Sequence, residues 1–188
     1  MTLFELTFTL SALILGLALT HMASSLYRLV LAGRRVRWAL EPLMQAALVL
    51  LIVVFVWLNE WNGRGVTTII YGRVLLRSLN LLVLYIAAAV CLPEVREGAA
   101  GEVNMYAYYD RARRVSFGAL AIGLVFFSLY NWTGEQAFHW RWQMLRPLVF
   151  LGPYVVMMFA RWRWLNVSLL AAMLIYFSII TMGYRLSG

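Results

Sequence analysis

The chain has 188 residues, 63% of them hydrophobic and 13% charged, with 16 basic residues against 8 acidic ones and a formal net charge of +8. A soluble domain carries roughly 25% charged residues, and at this length it would still expose about a third of its unfolded surface, so an ordinary soluble fold is excluded. The positive charge needs no nucleic acid, because anionic lipid headgroups account for it.

Runs of predominantly apolar residues near bilayer-spanning length place six transmembrane helices, at about 3–31, 38–58, 66–92, 115–131, 143–160 and 165–184. Backbone polar groups in hydrocarbon must bond within each segment, so the fold class is an all-α polytopic bundle forming one membrane domain over 1–188. Runs such as "ALVLLIVVFVWL" lack the alternation of a barrel strand.

The first span lacks the basic start of a cleaved signal peptide, and its apolar core is too long for one. Thr7, Ser11, Ile14, Ala18, His21, Ser25 and Arg28 keep one face at steps of four and three, a small and polar stripe suited to close helix contact. The loop after it holds Arg34, Arg35 and Arg37. The second span opens on "RWALEPLM" and carries Glu41 and Gln45. With the first loop centred near Gly33, His21 comes level with Gln45, and Arg28 with Glu41, to within about one helical turn.

The third span bears Arg73, Arg77 and Asn80 on one stripe, and the next loop, centred near Asn62, returns Asn80 to the depth of Gln45. Charged groups at depth are costly. Pairing of the two arginines with Glu5, Glu60 or Glu135 is one reading, and an anion-attracting outer vestibule is the other. A cytoplasmic loop over 93–114 follows, with Glu94, Glu97 and Glu102 and then "MYAYYDRARR". It reads as an interfacial helix entering the fourth span or as a docking surface for a protein partner.

The fifth span opens on "RWQMLRPLV", an echo of the second that fits a 3+3 inverted repeat. Gly152 and Pro153 near its middle predict a kink or hinge. All eight tryptophans fall at or beyond a proposed helix end, where amphipathic rings prefer to lie. The first, third and fifth loops collect most of the arginines, which puts both termini outside the cytoplasm.

Cys91 stands alone, so no internal disulfide forms. The chain has no lysine for a Schiff base, no GxSxG setting and no paired carboxylates within the bundle. His21 and His139 fall on opposite sides, so neither a shared metal nor a bis-histidine haem is expected. The chain does not read as an enzyme, and no cofactor is expected.

"LALTH" in the first helix, the arginine-rich loop after it and the Pro-Glu closing the third span resemble a loose group of small multi-pass bacterial inner-membrane proteins. That resemblance implies a bacterial inner-membrane home and attaches no activity. The residues themselves lead to a channel or small transporter, homo-oligomeric in the bilayer, with a polar path through His21, Ser25, Arg28, Glu41, Gln45, Arg73, Arg77 and Asn80. The alternative is a non-transporting structural or regulatory subunit of a larger membrane complex, with a haem- or quinone-binding protein as the remote third reading. His21 is expected to contact Gln45, and Arg28 to pair with Glu41. An occluded stripe favours the subunit, and a hydrated path favours transport.

Overall fold

A computed structural model of the chain describes residues 3–62, 70–95, 102–132 and 147–183. Within them run six α-helices: α1 (Leu3–Ala32), α2 (Leu40–Asn62), α3 (Tyr71–Val90), α4 (Met105–Trp132), α5 (Leu151–Phe159) and α6 (Arg163–Met182). All but α5 are long and apolar enough to cross a membrane, which makes this a multi-pass membrane protein by length and composition. Arg64, Arg96, Glu97, Glu135, His139, Trp140, Trp142 and the first residues of the expected fifth span lie outside the described residues.

Helix α1 ends where Gly33 takes φ +52, a left-handed conformation that glycine adopts without steric cost, and a short 3-10 turn over Gly33–Arg35 redirects the chain. Val36–Arg37 (β1) then pairs in parallel with Val103–Asn104 (β2), Val36 opposite Val103 and Arg37 opposite Asn104. Arg37 Nε donates to Glu102 Oε1 at 2.5 Å beside this ladder. The first and third loops are thereby tied together on one side of the bundle.

Helix α4 starts ten residues before the expected fourth span, because Asn104 caps it. The Asn104 side-chain oxygen accepts the Ala107 N–H at 3.1 Å, satisfying a donor that the helix start leaves free. The stretch "MYAYYDRARR" is therefore the first part of α4, continuous with the membrane helix, where the sequence suggested loop or interfacial helix. At 28 residues the helix measures about 42 Å, longer than a hydrocarbon layer of about 30 Å, so one end projects beyond it.

The second and fifth segments fold differently. Helix α2 runs 23 residues, whereas Pro147–Phe150 forms a 3-10 turn leading into the 9-residue α5. Gly152 and Pro153 thus stand in the first turn of α5 and not at a mid-helix kink, because the chain changes from 3-10 to α-helix just before them. A proline in the first turn removes no hydrogen bond that the helix would otherwise make.

Packing departs from chain order. Helix α3 lies along α4, α2 along α6, α4 along α5, and α1 against α3 more than against α2. The small stripe of α1 is what permits this, with Thr7, Ser11, Ala18 and Ser25 all buried.

Candidate functional site: two polar layers and an apolar cavity

One polar layer lies where α1 and α3 begin and α2 and α4 end. Arg77 of α3 forms an ion pair with Glu60 of α2, both side chains being largely buried. The single proton of Ser11 Oγ in α1 is shared between two acceptors, the Thr7 carbonyl at 3.0 Å and Glu60 Oε2 at 3.3 Å. Arg73 lies over the ring of Tyr130, 4.5 Å from its centroid, a cation–π contact. Phe8 packs edge-on against Trp61 at 5.7 Å, with Trp57 at 6.3 Å. Arg77 therefore carries a compensated charge here, so of the two arginines of α3 only Arg73 is left for the expected anion-attracting vestibule.

The opposite, arginine-rich side holds the second layer. Glu41 is completely buried and receives Arg163 of α6 through both carboxylate oxygens, the Nη2 to Oε2 contact being 3.3 Å. Arg163 also lies 5.2 Å from the ring centroid of Tyr106. Arg113, buried within α4, donates to the Ala160 carbonyl and pairs with Asp110 at 3.0 Å. Asn166 Nδ2 donates to the same Ala160 carbonyl at 3.0 Å, so one exposed turn between α5 and α6 is held from two helices.

Several sequence-derived contacts are corrected by this arrangement. Glu41 meets Arg163 and not Arg28, whose side chain is exposed, because α2 faces α6. His21 has Glu94 Oε1 at 4.0 Å from Nε2 and the Tyr85 ring at 6.5 Å. Its expected hydrogen bond to Gln45 is not made among the described residues; Gln45 is buried with Nε2 unpartnered. The cause is again packing, since α1 lies against α3 more than against α2 and His21 faces Tyr85 and Glu94. Ser25 is buried.

Asn80 lies elsewhere, lining a partly open cavity of about 210 Å³ walled by α2, α3, α4, α5, α6 and the 3-10 turn before α5. Phe55, Phe127, Phe150, Tyr154, Tyr176 and Phe177 supply aromatic walls. Phe150 approaches Tyr176 at 4.6 Å between centroids and Phe177 at 6.1 Å. A Cβ on Gly123 would come within 3.1 Å of Asn80 Oδ1, so the absent side chain leaves room for the amide. Sequence reading singled out Asn80 but missed this cavity, whose walls come mainly from the second half of the chain. Arg163, Arg113 and Asn166 were also missed as helix ties. The sequence carried no signal for them, since Glu41 had a nearer candidate partner in Arg28.

Among the described residues no group of three or more histidine, cysteine, aspartate or glutamate side chains could hold a metal ion. Set against known proteins, the chain matches no family model, no curated protein and no solved structure.

Proposed function

We propose that this chain is a non-transporting subunit that organises a larger complex in a bacterial inner membrane. It crosses six times, with 143–160 as the fifth crossing and both termini outside the cytoplasm. One observation carries this reading: Thr7, Ser11, Ser25, Glu41 and Arg77, five polar residues of α1 to α3, are closed off from water by burial or by an ion pair. Thr7, Ser11 and Ser25 are buried, Arg77 is met by Glu60, and Glu41 by Arg163. A conducting path needs polar groups facing water, and side chains closed in this way serve as fixed ties.

The arginine-rich side supplies the docking face. Arg28, Arg34, Arg35, Arg111, Arg114 and Arg161 are exposed there, and none has an acid partner among the described residues. An acidic protein surface fits such a face, with anionic headgroups around it.

The test is reconstitution into liposomes with flux measured for protons, alkali cations and halides between pH 5 and 8. Leakage equal to that of protein-free liposomes is expected, and R34E/R35E/R161E should release a stoichiometric partner from the complex isolated from membranes. Saturable flux would overturn the reading.

A homo-oligomeric channel or small transporter is the second reading. What favours it is that Gln45 Nε2, buried in α2, and the Asn80 amide have no hydrogen-bond partner among the described residues. A path using them would run beside the cavity and not along the stripe of α1. Flux abolished by Gln45→Leu and kept by His21→Gln would select it.

A further inference from the structure

We infer that the cavity beside Asn80 binds a neutral lipid whose ring head carries a carbonyl oxygen, a ligand of the quinone class, with the Asn80 amide as hydrogen-bond donor. Depth is the first argument. Asn80 is the tenth of the 20 residues of α3, so it lies about 15 Å from either helix end, at the middle of a hydrocarbon layer about 30 Å thick. Its amide lines the cavity and makes no hydrogen bond to any described residue. Ser78, one turn-face away, returns its hydroxyl to the Val74 carbonyl at 2.9 Å and so is satisfied by its own helix. A primary amide at that depth is costly unless something accepts from it.

Chemistry narrows the acceptor. Phospholipid headgroups and esters stay at the interface and do not reach the midplane, and an acyl chain would fill the space while leaving the amide unpaired. No acid, arginine or histidine is among the lining residues, so the ligand is uncharged. The walls contributed by Phe127, Phe150, Tyr154 and Phe177 favour a flat ring, which stacks or meets them edge-on. A cavity of about 150 Å³ accepts benzene. The 210 Å³ available here admits a substituted ring and the start of its tail. Gly123 keeps the approach to the amide open.

The experiment is calorimetric titration of the full chain in lipid nanodiscs with decyl-para-benzoquinone and, separately, with decylbenzene, which has ring and tail but no oxygen. The quinone should bind saturably, one per chain, and decylbenzene about tenfold more weakly, the difference expected of one hydrogen bond. Asn80→Leu should lower quinone binding to the decylbenzene level and leave decylbenzene unchanged. Asn80→Ala gives the same comparison should the leucine variant fail to fold. Gly123→Leu should abolish both by filling the space. Equal affinity for the two ligands, quinone binding unaffected by either Asn80 substitution, or no saturable quinone binding would overturn the inference.

Discussion

Arg77 and Glu60 bring opposite charges into the bundle on side chains only 13% and 8% exposed. Removing one partner of such a pair strands the other charge, so Glu60→Gln should cost about 3–5 kcal/mol. Replacing both with leucine should recover most of that loss, because the desolvation cost disappears with the attraction. Denaturant titration in detergent, comparing the single and double variants, checks the contrast. Cys91 offers a second residue-scale test. It is buried just beyond α3, its thiol bonded to the Ala88 carbonyl at 3.0 Å, and burial pushes its pKa up from 9.0 to about 12. The folded chain thus holds the proton more tightly than the unfolded chain, and stability from this site is lost as pH rises from about 9 toward 12. Maleimide labelling at pH 8 should be at least about 100-fold slower in the folded protein than after unfolding in SDS. At this scale the sequence was informative about type and depth and silent about direction. It marked Arg77 for pairing with an outer acid such as Glu60, and it could not show that Glu41 would turn to Arg163 instead of Arg28, because the rotation of a helix about its axis depends on which neighbours it meets.

Apolar runs and tryptophans located α1, α2, α3 and α6 to within a few residues, since both respond directly to the hydrocarbon boundary. They could not locate the start of α4. "MYAYYDRARR" is polar enough to read as loop by hydropathy, yet Asn104 caps it, and Tyr109 and Arg113 bury one side of it. Nor could they anticipate that α5 begins only at Leu151, which changes the meaning of Pro153. In the first turn of a helix a proline costs little. Pro153→Ala should therefore shift unfolding stability by less than about 1 kcal/mol, where relieving an interior proline would gain about 3. A thermal unfolding comparison of the two proteins decides between the positions. The same limit explains the cavity. Asn80 was visible as a polar residue on a stripe, but a cavity belongs to the six-element assembly and to no single segment.

Across the whole molecule, the first and third loops meet in the β1–β2 ladder and the turn after α5 joins them through Arg113 and Arg163, so three loops share one side. Reporters fused after Gly188 and inserted near Gly98 should give opposite signals, the former active only outside the cytoplasm and the latter only within it. Identical signals would break the six-crossing proposal. The ladder has its own test: with Cys91→Ser as background, V36C/V103C should crosslink oxidatively in membranes within one chain, since these residues face each other in register. That pairing also bears on how the protein is made. Because β1 precedes α2 and β2 follows α3, the ladder draws a neck closed around the intervening hairpin. The neck can be tied only after the ribosome has delivered Asn104. Until then the nascent chain holds α1 beside α3 by packing alone, and the side of the bundle richest in arginine stays unfastened. That side is thus completed only when more than half of the chain has been made.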